Sequence, residues 1–312
     1  NAYFLNSCTA ALNLTFDVLK EHDGWSDGDE VISTPITFVS SNHAIKLAGL
    51  KPVFADIDNT LCLDPVDVER KITKRTRAVL FVGIGGNVGH YQEVLEVCRR
   101  HGLRLIIDAA HMGGTRVDGR FPCDEADVVN FSFQTFKTLA TADSGMICFK
   151  EPELEKIARI KAWSGINTAA YSEVAVKDHK TYKWHYDVEY VGNCYNGNSI
   201  MAAVALAQLH CLDKDNDFRR DVSARYDKAF SQYPEYIQLV EYPVDCESSR
   251  CLYQIIVKDR DGLVKYLNEH NINSGVHYVD NTNYRMYAYG RGTCPNAAYL
   301  SEHMISLPLH LK

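Results

Sequence analysis

The chain has 312 residues, of which 46% are hydrophobic and 23% charged, and a formal net charge of −7. That length exceeds one average domain and allows a sizeable core, while the negative balance argues against electrostatic recruitment to nucleic acid or to an anionic membrane. The ten cysteines form no Cys-x-x-Cys pair and no Cys/His spacing of a zinc site. With no signal peptide and no apolar run of membrane-spanning length, the expectation is a reduced, cytoplasmic protein without a metal. Neither end reads as a natural terminus.

Tyr3-Phe4-Leu5 reads as a strand that leads through Asn6-Ser7-Cys8-Thr9 into a helix with Leu12, Phe16 and Leu19 on one stripe. Small polar residues before a helix leave N–H groups free at a positive dipole end, which suits a phosphate. Ordinary capping explains Ser7 and Thr9 equally well. After the turn at Gly28-Asp29-Glu30, Val31–Ser33 is a strand, Val39–Ala48 a helix stopped by Gly49, and Pro52–Asp56 the next strand, which makes a β-α-β unit. Asp64 caps a helix through Ile72, and Thr76–Val82 is a buried strand. Gly83, Gly85, Gly86 and Gly89 follow as a flexible loop. Their spacing misses the dinucleotide fingerprint by one residue and lacks its acidic partner.

A helix from Gln92 to His101 returns the chain to Leu103–Ile107, a strand ending at Asp108. Val128–Ser132 is another strand, and it delivers Lys137 five residues beyond its end. An acid at one strand end and an amine past another suit pyridoxal phosphate, which needs an amine for a Schiff base and a carboxylate to keep its ring nitrogen protonated. Taken alone, the same pair reads as a helix cap and a solvated loop lysine. Gly145–Phe149 is a strand and Pro152–Ser164 helical; 165–198, with Trp184, several tyrosines and Asn193, Asn196 and Asn198, is a long excursion of the kind that binds or interlocks something. Ser199–Leu212 is helical, and helical character continues through the charged stretch to Lys228. Ile237–Val240, Leu252–Val257 and Ser274–Tyr278 alternate as strands, with Asp261–Asn271 a helix between two of them.

The expected fold is therefore α/β: a mostly parallel sheet sandwiched by helices over residues 1–212, then a smaller α+β domain over 213–312, joined by a helix at about 213–230. Ligands of such sheets bind beyond the carboxyl ends of the strands. Ser7–Thr9, Phe38, Asp108 and Ser132–Lys137 all come directly after strands, and so are expected to converge on one edge.

Seven stretches in order carry a resemblance: Asn6–Leu12, Gly28–Ile32, Thr37-Phe38-Val39, Pro52–Ile57, Ile107–His111, Phe131-Ser132-Phe133 with Lys137, and Ala202–Leu209. Together they resemble the DegT/DnrJ/EryC1/StrS group of fold-type-I pyridoxal-phosphate aminotransferases, mainly sugar aminotransferases, over nearly the whole chain. The resemblance implies a mixed seven-stranded sheet and a set of site residues. Thr9 and Ala10 would hold the cofactor phosphate at a helix N-terminus, with Ser132 beside them. Phe38 would stack on the pyridine, and His111 would lie near the phenolic oxygen. Asp108 would pair with the ring nitrogen, where an ion pair at about 4 Å and an effective dielectric near 20 contributes roughly 4 kcal/mol, about three pKa units. Lys137 would form the Schiff base and move protons. Asn196 would reach the phosphate of a neighbouring subunit, which makes the active site an interface of a homodimer. His277 and Tyr278 are candidate substrate contacts.

The implied reaction is transfer of an amino group from glutamate or glutamine to a keto-sugar, with pyridoxamine phosphate formed during turnover and the sugar carried on a nucleotide. Two alternatives stand beside it: a dehydratase of the same family, in which histidine replaces the lysine, and a non-catalytic regulator. The chain departs from the family at Phe81–Gly86, where glycines replace bulky residues and leave the shape of the substrate open, and at Cys8, where the family has glycine.

Overall fold

The structure, a computed structural model, describes residues 1–167 and 188–310. Trp184 and most of the excursion that contains it lie outside the described residues. Seven strands form the main sheet: β1 (Ala2–Leu5), β2 (Glu30–Ser33), β3 (Lys51–Phe54), β4 (Thr76–Val82), β5 (Arg104–Asp108), β7 (Val128–Ser132) and β8 (Gly145–Phe149). A short strand, β6 (Arg116–Val117), lies outside it. The order across the sheet is β1-β8-β7-β5-β4-β2-β3. β8 is antiparallel to both of its neighbours, and the remaining pairs are parallel. Six strands therefore point one way, and the expected mixed sheet is present.

Strand residues alternate between two cores, as a period of two requires. Val79, Phe81, Leu105 and Ile107 pack to one side, and Ala78, Leu80 and Ile106 to the other. α1 (Cys8–Asp23) and α2 (Ser40–Leu47) bury residues in the second core. α1 ends at Gly24, whose left-handed φ of 68° lets its N–H reach the Lys20 carbonyl. α3 (Pro65–Arg70) and α4 (Tyr91–His101) cover the first core. α5 (Pro152–Lys161) packs against α1.

α6 (Ser199–Leu209) is apolar almost throughout and buries none of its residues, with Ile200 72% and Leu206 64% exposed. α7 (Leu212–Phe230) leads to a three-stranded antiparallel sheet of β9 (Ile237–Leu239), β11 (Tyr253–Val257) and β12 (Met304–Leu307), ordered β12-β11-β9. Strand β10 (Cys246–Glu247) instead pairs with β6. α8 (Arg260–Glu269) and α9 (Pro295–His303) complete the described α-helices, with short turns at Asn281–Asn283 and Arg285–Gly290 between them. Tyr287, Ala297, Leu300 and Met304 join the core on the main sheet, so this part of the chain is packed directly on it.

Two expectations need correcting. Ser274–Tyr278 is not a strand: only Gly275 bridges to Ser306. The third strand of the three-stranded sheet is β12. Beyond Gly275 side chains replace ladder bonds, since His277 Nδ1 meets Ser306 Oγ at 2.9 Å and Gln254 Nε2 donates to the His277 carbonyl at 2.7 Å. The glycines after β4 are not a flexible loop either. Ile84–Gly86 is a buried tight turn, with φ of 61° at Gly85 and 90° at Gly86. A β-carbon on Gly86 would stand 2.2 Å from Ser249 Oγ, and one on Gly83 2.1 Å from Met112 Sδ. The space a side chain would fill there belongs to Ser249 and Met112, which is why this position takes glycine.

Candidate active site

A cavity of about 520 Å³ opens at the carboxyl edge of the main sheet. Thr9, Phe38, Asp108, His111, Ser132, Lys137, His277 and Tyr278 all line it, which brings together eight of the ten residues expected from sequence. Ala10 and Asn196 are not in its wall. The N–H of Ala10 donates to Ser7 Oγ at 3.1 Å, so Ser7 is the helix cap. Asn196 runs beside β1, where Tyr3 Oη donates to its Oδ1 at 2.5 Å.

Each element delivers its residue for a local reason. Ser7 starts α1 and leaves the N–H groups of Cys8 and Thr9 without a partner among the described residues, so the dipole end of the helix faces the cavity. Gly145 permits this, because a β-carbon there would lie 2.6 Å from the Cys8 nitrogen. Lys137 sits on a hairpin between adjacent antiparallel strands. Ser132 and Gly145 pair at its base, and Phe133 and Ser144 share a backbone bond of 2.8 Å. The Lys137 amine has no hydrogen bond or ion pair among the described residues.

Asp108 ends β5 and is only 5% exposed. Ser41 Oγ–H donates to its Oδ2 at 2.7 Å and the Ala110 N–H to its Oδ1 at 3.1 Å. Burial raises its pKa, and the bonds from Ser41 and Ala110 and the charge of Lys137 oppose that rise. Phe38 is 57% exposed, with its ring 6.0 Å from that of Tyr278, so one aromatic face is open to the cavity. The Cys8 thiol is pushed well up by burial and by Asp108 and contributes bulk rather than a nucleophile.

His111 accepts the Gly85 N–H at Nδ1, 3.2 Å away, and burial, with Lys137 and His277 nearby, holds its pKa well below the usual value. The neutral ring therefore carries its proton on Nε2, which lies 3.3 Å from Tyr278 Oη. Its carbonyl accepts from Ser249 Oγ at 2.6 Å. His277 is likewise shifted down by burial and by Lys137. Below about pH 6.5, the ordinary value for histidine, the unfolded chain takes up protons that these two folded rings refuse, so acid costs stability. The urea midpoint of the protein without added ligands is expected to fall between pH 7 and pH 5. His111→Gln should flatten that fall, and an unchanged slope in the variant would refute this account.

Ser41, Cys251, Leu252 and Asp143 went unrecognised in the sequence. Ser41 lies four residues after Thr37, at the start of the helix that follows Phe38, a position that does not by itself distinguish it from an ordinary early-helix serine.

A buried carboxyl group and a primary amine in one cavity, with an open aromatic face and a helix N-terminus beside them, suit a flat basic heterocycle that carries an aldehyde and a phosphate. Among mixed seven-stranded sheets, that combination is the one used by the fold-type-I pyridoxal-phosphate enzymes. Residues 1–312 match the DegT/DnrJ/EryC1/StrS aminotransferase family, and the chain belongs to it. It is 34% identical over 322 aligned positions to the spore coat polysaccharide biosynthesis protein SpsC of Bacillus subtilis (strain 168), covering 99% of this chain and 80% of that one. It is 33% identical over 312 positions to a dTDP-4-dehydro-2,3,6-trideoxy-D-glucose 4-aminotransferase of Saccharopolyspora spinosa, covering 98% and 79%. Among solved structures, the aminotransferase TlmJ from Streptoalloteichus hindustanus superposes with a TM-score of 0.89 at 29% identity, covering 99% of this chain and 80% of that one.

Proposed function

We propose that this protein binds pyridoxal phosphate in the cavity at the sheet edge and transfers an amino group from an amino acid, glutamate or glutamine, to a nucleotide-linked keto-sugar. The observation that carries the reading is the shared cavity: Asp108 and Lys137, 29 positions apart in the chain, line the same 520 Å³ space. The acceptor class is supported by the relatives, one of which is named for a dTDP-linked keto-sugar.

Pyridoxal phosphate, when bound, supplies an electron sink for the pair released as a C–H bond next to nitrogen breaks. Everything else falls to the chain. The free N–H groups of Cys8 and Thr9, with Thr9 and Ser132 hydroxyls, would hold the phosphate; Ala10 would join them only by yielding its bond to Ser7. Phe38 would cover one face of the ring. The Asp108 carboxylate would hold the proton on the ring nitrogen, and His111 Nε2–H would donate to the phenolic oxygen. Lys137 Nζ would anchor the aldehyde and, once displaced by the donor amine, carry a proton between the substrate carbon and the cofactor. His277 and Tyr278 would meet the sugar from the opposite wall.

The same reading covers assembly and division of the chain. Residues 1–212 form the cofactor-binding part and 213–312 the smaller part. A second copy of the chain would cover the apolar surface of α6 and would bring its Asn196 toward the phosphate. Among the described residues no helix is long and apolar enough to cross a membrane, and a cytoplasmic biosynthetic role fits the reaction. The test is spectroscopic. Added pyridoxal phosphate should give a visible absorbance band that borohydride removes, glutamate or glutamine should bleach it, and a nucleotide-linked keto-sugar should restore it. A wild-type protein with no band, or a band that no amino acid bleaches, ends the proposal.

A further inference from the structure

We propose that Ser41 is a positioning residue for Asp108, with Thr37 behind it and Asn281 fixing the segment that carries both. The inference rests on the pyridoxal-phosphate reading above and assigns a role to a residue outside the set that reading uses.

Ser41 is fully buried, and its hydroxyl has one proton and three acceptors in reach: the Phe38 carbonyl at 3.1 Å, Asp108 Oδ2 at 2.7 Å and Thr37 Oγ1 at 2.9 Å. The carboxylate oxygen is nearer and charged, so it takes the proton. Thr37 Oγ1 lies 2.9 Å from Ser41 Oγ. With the Ser41 proton engaged, Thr37 must be the donor of that bond, and a two-hydroxyl relay ends on the acid. The Ala110 N–H holds the other oxygen. Each carboxylate oxygen thus has one fixed donor, one from α2 and one from the loop after β5, and the plane of the group is set by both. The other titratable groups that act on it are the Lys137 amine, the Cys8 thiol and the Tyr278 hydroxyl. None of these three makes a hydrogen bond to it among the described residues. Without Ser41 a buried carboxylate would keep a single donor and could swing about its last torsion.

The relay is clamped from the far end of the chain. The backbone N–H of Asn281 donates to the Pro35 carbonyl at 2.9 Å, and its Nδ2 donates to the Thr37 carbonyl at 2.9 Å. Its Oδ1 accepts from Asn42 Nδ2 at 2.9 Å. One asparagine therefore ties down the stretch from Pro35 to Asn42, which contains Thr37, Phe38 and Ser41.

The experiment is a double-mutant cycle on cofactor affinity. The dissociation constant for pyridoxal phosphate is measured for the wild type, Ser41→Ala, Asp108→Asn and the double variant. If Ser41 acts through the charge of Asp108, Ser41→Ala should weaken binding about ten-fold in the wild-type background, the size of a hydrogen bond to a charged group, and about two-fold or less in Asp108→Asn. Thr37→Val, nearly equal in volume, is the second variant should Ser41→Ala fold poorly. It should weaken binding several-fold with the same dependence on Asp108. Equal losses in both backgrounds would mean a packing role and overturn the inference, as would no loss in either. A wild type that binds no pyridoxal phosphate would instead end the functional reading itself.

Discussion

Lys137→Ala is expected to abolish amino transfer, lowering kcat/KM by at least about 10⁴-fold, the upper end of what a positioned acid–base group contributes. The loss is placed that high because, in the proposed reaction, one side chain would have two tasks, anchoring the aldehyde and moving the proton. No other group can take over. Among the residues lining the cavity, the remaining titratable ones are the carboxyls Asp108 and Asp143, the thiols Cys8 and Cys251, the imidazoles His111 and His277, and Tyr278. None of these is a primary amine, so none can anchor an aldehyde as a Schiff base, and both thiols are pushed up. Single-turnover conversion of the cofactor with glutamate or glutamine is the measurement. An alanine variant within a hundred-fold of the wild type would remove the lysine from the chemistry while leaving the cavity a binding site.

Asp108→Asn should cost about 10²–10³-fold in kcat with little change in the Michaelis constant for the sugar, the range found when one electrostatic contact to a developing charge is removed. The amide keeps the shape and the bonds from Ser41 and Ala110 in part, yet it carries no charge to hold a proton on the ring nitrogen. The position is already under tension, because burial raises the carboxyl pKa and three neighbours work against it. A bound ring cation would relieve that burial cost by pairing with it. If the Asn variant retained its rate, the carboxylate would be a structural cap at the end of β5 rather than part of the reaction.

The sheet and the convergence of the site were readable because they rest on strand length and on the residues just past each strand end. Short apolar runs such as Leu105–Ile107 and Val128–Phe131 place Asp108 and Lys137 at one edge by topology alone. Side-chain partnership was not readable. Ser41 looks like any early helix serine until Asp108 is seen 2.7 Å away. The glycines at 83–86 leave the shape of the substrate undetermined in the sequence, and what fills the space beside them, Met112 and Ser249, comes from residues 26 and 163 positions from Gly86 in the chain. The strand expected at Ser274–Tyr278 failed for a related reason: alternation of residue types is also produced by a segment whose side chains, rather than backbone, make the bonds. The Ala10 N–H, finally, is spoken for by a cap that a sequence cannot distinguish from a phosphate seat.

The reversal of β8 in an otherwise parallel sheet has a consequence for how such a protein can diversify. A lysine on a crossover would ride between a strand and a distant helix, and any change in that helix would move the amine. Here both feet of the lysine-bearing segment stand on neighbouring strands, Ser132 opposite Gly145, so its reach is set by a dozen residues of local chain. Outer helices and the distal part of the molecule can drift, lengthen or be exchanged to suit new acceptors while the Lys137 amine keeps its address.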